Sequence, residues 1–579
     1  MKLFKKNQAL YLIVFLGFIM RLVALPFSQV VDADAVTRVF IAEKWLEDPH
    51  FIFEGIWLPF HFYFNAIAIA IFGERVTGPI LFHILLTCLT AIPLYHFTKR
   101  EFSEKGAWFA AAFYLLSPIV FRNSFHTLSG LPYAFFAAHA MNHISRSIRG
   151  NDFKNAIYAG LYMTIAAGFR YEAWLLIAIF TGVYLLFKRW KYTIYFWVAA
   201  MIFPVFWMAG NYIAHQNIFF GLSGTYEWNI VMEGVNDELS LSERITRLLF
   251  FPVSWFLYFS PILIIWLAWK VIQSMKNKNF RRSWLIWSIP FWVVFVMFGY
   301  RAYEGTLLLF HRYTISLILL SAPFTALIFE HVRWKRLTRI AAIIILATLL
   351  PLSYFWMGMP VEKMFSANQP LRAALKEIRT DSQQNFQAIP RLSNQNYAEY
   401  SKEIKKHISE ESGLILDFVM WDNTFYLALN SQLPRDQVYI VDGSKHGQVY
   451  HEGLIDVLKN TANGIILLKC DSKFADSYEL NGDILTFQLD APYHLKLTPV
   501  TGETGVGIFR YEITDNPGDR GNLNFDCPEK NSMEHILFSI RYNYKLQNDV
   551  RRKARDHGLR FEEQLMNDAI YILEHLPEN

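Results

Sequence analysis

Before about residue 358 the chain is a succession of long apolar runs, and each approaches the length that a bilayer interior imposes on a helix. Roughly 20 residues are needed to cross about 30 Å of hydrocarbon. Runs of this kind lie near 9–27, 76–97, 106–121, 128–144, 155–169, 172–187, 192–214, 250–272, 284–300, 306–329 and 338–357, about eleven in all, several of them short. Lipid offers no partner for backbone N–H and C=O groups, so such runs are helical. The expected fold class is a polytopic α-helical membrane domain over residues 1–358. After it come a soluble α/β domain over 359–515 and a charged helical tail over 516–579.

Charge fixes the expected orientation. One further apolar stretch, Trp57 to Gly73, inverts everything after it if it crosses. If it does not, 21 Lys and Arg residues in clusters at the N-terminus, 99–105, 146–154, 188–191, 270–282 and 333–339 share the side of the N-terminus, and only scattered ones such as Arg38, Arg75 and Arg301 oppose them. Basic loops are retained in the cytoplasm. The stretch is therefore read as an interfacial or re-entrant helix, with Pro59 at its start and Phe60, Phe62, Tyr63 and Phe64 along it. Lys2, Lys5 and Lys6 precede a retained first span, not a cleaved leader. The expected location is a cell (inner or plasma) membrane, with the N-terminus cytoplasmic and the C-terminal domain outside.

A net charge of +5, with its cations dispersed between apolar stretches, excludes nucleic acid as a partner. In the soluble part, Gly413–Phe418, Gln437–Val441, Gly464–Lys469, Ile484–Leu489 and Val506–Ile513 read as strands, and Asn423–Leu433 and Glu452–Asn463 as helices. Glu534–Leu546 and Phe561–Leu576 read as helices of the tail. Cys470 and Cys527 permit one disulfide there, while Cys88 sits in an apolar stretch.

On this topology the outer face collects ionisable residues that do not act as orientation signals: Asp32 and Asp34, Arg122 with His126, Arg170 with Glu172, Arg301 with Glu304, and His311 with Arg312. Charge at membrane depth costs a few kcal/mol unless paired or facing a polar cavity. Asp32 and Asp34, directly after the first run, suit a general base or a divalent cation, or they cap the helix that begins near Ala35. Arg170 is either an anion ligand or a snorkelling cation bridged to a neighbour. His311 and Arg312, expected about a turn inside the 306–329 run, bring a planar fork suited to phosphate.

Five segments follow one another in order: Asp32-Ala33-Asp34; Trp57-Leu58-Pro59-Phe60-His61 opening a helix that ends Phe72-Gly73; Ser117-Pro118; Arg170-Tyr171-Glu172; and His311-Arg312-Tyr313 with Pro323 beyond it. That succession, over roughly residues 1–360, resembles the membrane glycosyltransferases of the GT-C superfold, especially the ArnT-like and protein O-mannosyltransferase-like enzymes that use polyprenyl-phosphate sugars. It departs from them after the Ser-Pro segment, where an acidic residue often follows and Ser129-Gly130-Leu131 carries none.

The resemblance implies transfer of a sugar from a polyprenyl-phosphate donor to an extracytoplasmic lipid, glycan or protein, by an inverting single displacement. Asp34, or else Asp32, is then the base; Arg170, Arg312 and His311 hold the donor phosphate; Glu172 orients Arg170; His61 or Tyr63 faces the sugar; Tyr171 and Tyr313 support. No cofactor is implied beyond an optional divalent cation at the acidic loop. A transporter or lipid flippase, or a polysaccharide polymerase, is the alternative, and the soluble domain is either an acceptor-binding element or a packing lid.

Overall fold

The computed structural model describes residues 8–233, 239–278, 281–330, 335–358, 388–392, 394–441, 451–470, 478–489, 491–503, 505–514 and parts of 523–574. The backbone divides into two compact units, one of Met1–Ser28 with Trp45–Pro390 and the other of Gln29–Lys44 with Arg391–Asn579. The connection 359–387, where the membrane domain was expected to end, lies outside the described residues.

The first unit is helical. Among the described residues four helices are long and apolar enough to cross a membrane, Gln8–Phe27, Thr77–Glu101, Arg282–Tyr303 and His311–Phe329, or up to six if two bent pairs are each one span. The expected count of about eleven is not reached by this measure. The cause is visible in the breaks: apolar runs are interrupted by residues that cannot continue a helix. Ser260, at φ 78°, precedes Pro261 and turns helix Glu243–Phe259 by 89° from Pro261–Lys276. Helices Ala107–Leu116 and Glu172–Leu186 are too short for the same test. Trp57 to Gly73 contains one helix, Phe60–Phe72, whose 13 residues fall short of a crossing and which ends on Gly73 at φ 66°.

One break shows how the packing is held. Ser117 takes the extended conformation that a following proline favours, and the helix restarts as Pro118–Asn123. The Leu115 carbonyl thereby loses its helical partner, and Nη2 of Arg21 donates to it at 2.8 Å. The same guanidinium donates to the Gly17 carbonyl at 3.0 Å and to Ser124 Oγ at 3.0 Å, and stacks 4.7 Å from the centre of the Phe121 ring. Arg21, fully buried in the first span, is thus a structural cation satisfied by oxygens and a ring. Helix Gly130–Gly150 is buried along most of its length beside Phe153–Ala167. Where the latter meets Trp190–Ala200 only glycine fits, since a Cβ on Gly160 would lie 2.5 Å from the Phe196 carbonyl oxygen.

In the second unit a seven-stranded mixed sheet has the order β2-β1-β3-β7-β6-β5-β4. Its strands are β1 Gly413–Leu416, β2 Val438–Ile440, β3 Asn463–Lys469, β4 Tyr478–Asn481, β5 Ile484–Gln488, β6 Pro492–Glu503 and β7 Val506–Ile513. β1 pairs in parallel with β2 and β3, and helices Trp421–Ser431 and His451–Asn460 make the crossovers. From β3 onward, through β7, β6, β5 and β4, neighbours are antiparallel. Ile465–Leu468 are buried as in a central strand covered on both faces. Cys470 and Cys527 form a disulfide. Helices Met533–Arg541 and Phe561–Glu574 occupy the tail.

Candidate active site

Arg170 lies in the short turn between helices Phe153–Ala167 and Glu172–Leu186, and two contacts fix that turn. Phe60 N–H donates to the Gly168 carbonyl at 3.1 Å, and a Cβ on Gly168 would sit 2.5 Å from the Phe60 ring. Arg170 Nε donates to Glu172 Oε1 at 2.9 Å, Nη2 bonds the same oxygen, and the guanidinium lies 4.8 Å above the Tyr313 ring. Both side chains of the pair are mostly buried, at 11% and 15% exposure. Held by a carboxylate edge-on and a phenol face-on, the Arg170 fork has little rotational freedom.

Tyr313 brings its own neighbours. Residues 306–310 are not helical: the 3₁₀ turn His311–Tyr313 opens the helix that continues as Thr314–Ser321. His311 and Arg312 therefore start the span; they do not lie a turn inside it, as the apolar run had suggested. Two arginines cause the difference by taking carbonyls that a longer helix would have used. Arg247 donates to Ala302 O at 2.9 Å and Leu307 O at 3.1 Å, and Arg301 donates to Thr306 O at 3.0 Å. Arg301 is thus bonded to Thr306 and serves the backbone.

Arg312 stacks 4.3 Å from the Phe310 ring and acts electrostatically on Arg170 and on His126. His311 is buried, shares a hydrogen bond of 3.1 Å through Nδ1 with Ser254 Oγ, and packs against Phe250 and Tyr258. Arg122, at the end of helix Pro118–Asn123, lies within electrostatic reach of His311, His126 and Tyr258. Burial first, then the guanidiniums of Arg122 and Arg312, hold the His126 imidazole well below its usual pKa, so it is neutral. Among the described residues, His126 Nδ1 and His311 Nε2 are buried without a hydrogen-bond partner. Buried polar atoms of this kind are ordinarily satisfied by a hydrogen-bond partner.

The structure therefore brings together Arg170, Glu172, Tyr313, Arg312 and His311. It adds Arg122, His126, Ser254 and Tyr258, and Tyr133 lies within reach of Glu172 and Arg170. Arg122 and His126 had a signal, an outer loop with paired ionisable residues. Ser254, Tyr133 and Tyr258 had none, being ordinary residues of apolar runs. The other supporting residues serve the 45–57 loop: Tyr63 accepts from Ile52 N–H at 2.8 Å, Tyr171 donates to Ile56 O at 3.3 Å, and His61 packs beside Trp57.

Asp32 and Asp34 belong to the second unit. Asp32 Oδ1 accepts from the backbone N–H groups of Asp34 at 3.0 Å and Ala35 at 3.4 Å, at the start of helix Ala33–Glu47. It is the helix cap, and Asp34 stands in the first turn. Among the described residues no group of three or more His, Cys, Asp or Glu side chains comes together, whereas divalent cations of the Mg²⁺ and Ca²⁺ type take about six or more oxygen ligands.

A family described as dolichyl-phosphate-mannose-protein mannosyltransferase matches residues 58–209. Among solved structures the chain is similar to ArnT from Cupriavidus metallidurans bound to undecaprenyl phosphate, with TM-score 0.58 and 12% identity over 89% of this chain and 100% of that one. The chain has the fold of the GT-C membrane glycosyltransferases. ArnT from the same organism in the apo state matches at TM-score 0.52 and 12% identity, over 87% of this chain and 98% of that one. No curated protein matches the sequence. Within this chain the family match includes Phe60–Phe72, the Ser117-Pro118 break, Arg122, His126 and Arg170–Glu172, while Asp32, Asp34 and His311–Tyr313 fall outside it.

Proposed function

We propose that this GT-C protein transfers a sugar from a polyprenyl-phosphate donor to an acceptor outside the cytoplasm. The observation that carries the reading is a chain of neighbouring cations: Arg170, bound to Glu172, lies within electrostatic reach of Arg312, Arg312 and Arg122 both act on His126, and among the described residues the buried His126 Nδ1 and His311 Nε2 have no hydrogen-bond partner. A phosphate monoester or diester is the ligand that forks and imidazoles of this kind satisfy. ArnT, whose fold this chain shares, has been seen with undecaprenyl phosphate.

In this reading Asp34 accepts the proton of the acceptor hydroxyl as that oxygen attacks C1 of the sugar. The bond from C1 to the phosphate oxygen breaks, its electron pair stays on the phosphate, and Arg170, Arg312 and His311 stabilise the charge that develops. The leaving phosphate needs no proton, and displacement from the opposite face inverts C1. Asp32 remains a helix cap. The disulfide Cys470–Cys527 supports an extracytoplasmic C-terminal unit, since such bonds persist in oxidising compartments.

The test compares cells with and without the gene. Mass spectrometry should show an envelope glycan losing one sugar while the polyprenyl-phosphate form of that sugar accumulates. The same loss with the donor trapped on the cytoplasmic leaflet would instead indicate a lipid translocator.

A further inference from the structure

The candidate base and the C-terminal sheet domain are parts of one unit: residues 29–44 pack with Arg391–Asn579, although more than 340 residues separate them in sequence. The attachments flank Asp34 on both sides. Five residues upstream, Gln29 Oε1 accepts from Leu392 N–H at 2.8 Å, and the Gln29 and Gln395 side-chain amides pair reciprocally at 3.3 Å. Tyr426, on helix Trp421–Ser431, adds a hydrogen bond to Gln29. Six residues downstream, the Arg435 guanidinium lies 5.6 Å from the centre of the buried Phe40 ring, and its Nη1 is tied to the Val438 carbonyl at the edge strand β2.

Between these two fastenings the backbone of Asp34 has a defined start. Asp32 caps the helix, Thr37 Oγ1 bonds the Ala33 carbonyl at 2.9 Å, and Ala35, Val36 and Val39 are buried. An amide pair and a cation over a ring are not what apolar packing alone requires. Together they fix both translation and rotation of a helix about four turns long.

We propose that the C-terminal unit is the positioning element of the transferase, with Gln29, Gln395, Tyr426 and Arg435 as positioning residues that set where the Asp34 carboxylate stands. This rests on Asp34 being the base. It gives the sheet domain a task in turnover besides binding acceptor. A misplacement of about 1 Å in a general base is enough to cost on the order of 100-fold in rate, so fastenings distant from the chemistry in sequence become rate-determining.

The experiment uses the full-length chain in cells lacking the native gene, with Gln29→Leu, Arg435→Ala, Arg435→Lys, their double variant Gln29→Leu/Arg435→Ala, and Asp34→Asn. Sugar transferred to the envelope and polyprenyl-phosphate sugar accumulated are read by mass spectrometry. Purified proteins are melted with and without undecaprenyl phosphate. Transfer should fall roughly 10-fold in each single loss variant and about 100-fold in the double, recover in part in Arg435→Lys, and leave stabilisation by undecaprenyl phosphate intact.

Wild-type transfer in the double variant while Asp34→Asn is inactive would overturn the positioning role and leave the base assignment standing. Wild-type transfer in Asp34→Asn would overturn both. Parallel loss of transfer and of lipid stabilisation would show that these residues serve the fold as a whole, against the proposal. Should Arg435→Ala fail to accumulate, Phe40→Leu removes the ring without altering the sheet domain and must give the same selective loss.

Discussion

Arg170 and Glu172, two residues apart, meet at 2.9 Å across a helix start, and the guanidinium so held lies 4.8 Å from the centre of the ring of Tyr313, from a span more than 140 residues away in sequence. The pair does two jobs that mutation separates. It neutralises a mostly buried cation, and it aims the remaining face of that cation.

Glu172→Ala leaves Arg170 buried without its carboxylate, which should cost about 3–5 kcal/mol. The melting temperature should fall by roughly 5–10 °C, and undecaprenyl phosphate should restore more of it than it adds to wild type, because an anion then replaces the lost partner. Tyr313→Leu, which removes only the ring face, should cost about 0.5–2 kcal/mol. Equal, small shifts for both variants would show that Arg170 finds its partner elsewhere.

The two acidic residues of the first loop should behave differently, because Asp32 caps the helix while Asp34 is the proposed base. Asn is as good a helix cap as Asp, so Asp32→Asn should transfer sugar near the wild-type level, and Asp32→Ala should lose only about 1 kcal/mol of stability. Asp34→Asn keeps size and hydrogen bonding while removing basicity. Transfer should drop by orders of magnitude with undecaprenyl phosphate binding preserved. Assays of envelope glycan in complemented cells separate the outcomes, and a silent Asp34→Asn beside an inactive Asp32→Asn would move the base.

How much of this the sequence carried depends on the range of the interaction. The strands at 413, 437, 464, 484 and 506 show in short apolar runs, and each is found within a residue or two of its expected place. β4 and the long β6, whose outward residues are polar or exposed, lack that signal and were not anticipated. Arg170-Tyr171-Glu172 could be read as a pair from adjacency alone. That Tyr313 lies beneath it could not, since only the packed helices bring 170 and 313 together. The expected span count is not confirmed by helix length, in part because Pro breaks apolar runs without leaving a polar loop, as at Ser117-Pro118 and Ser260-Pro261. Arg21, alone in the first run, hid in a count of apolar residues, and one of its partners is the Leu115 carbonyl at a break 94 residues on. The grouping of 29–44 with the sheet domain depends on side chains such as Gln29 and Arg435 that have no pattern in sequence.

Orientation is testable independently of chemistry. Reporter fusions after Arg100 and Arg189 should read cytoplasm, and fusions after Ser223 and at the C-terminus should read outside, as the basic clusters demand. Labelling supports the same point by another route. Cys470 and Cys527 should react with a membrane-impermeant maleimide in intact cells (with the outer membrane permeabilised where one is present) only after reduction, and the buried Cys88 should not react. A cytoplasmic C-terminus would separate Asp34 from the face on which the acceptor is expected.

Arg312 gives the sharpest test of the phosphate site, because its position admits two explanations with opposite consequences. It opens the span His311–Phe329, stacks over Phe310, and acts on Arg170 and His126. If donor phosphate is what it serves, the cation is held near other cations for the ligand's sake, and Arg312→Ala should relieve repulsion in the empty protein. Melting without lipid should then be unchanged or slightly higher. If instead it is a structural cation paired with a carboxylate such as Glu172 or Glu304, its removal strands a buried acid and should lower the melting temperature whether or not lipid is present. With undecaprenyl phosphate the two cases part further: wild type should be stabilised in proportion to the logarithm of lipid concentration, and Arg312→Ala should not. Arg312→Lys should fall between them, since a point charge replaces a planar fork at equal charge. Equal stabilisation of wild type and Arg312→Ala by the lipid would remove Arg312 from the donor site and leave Arg122 and Arg170 to hold the phosphate.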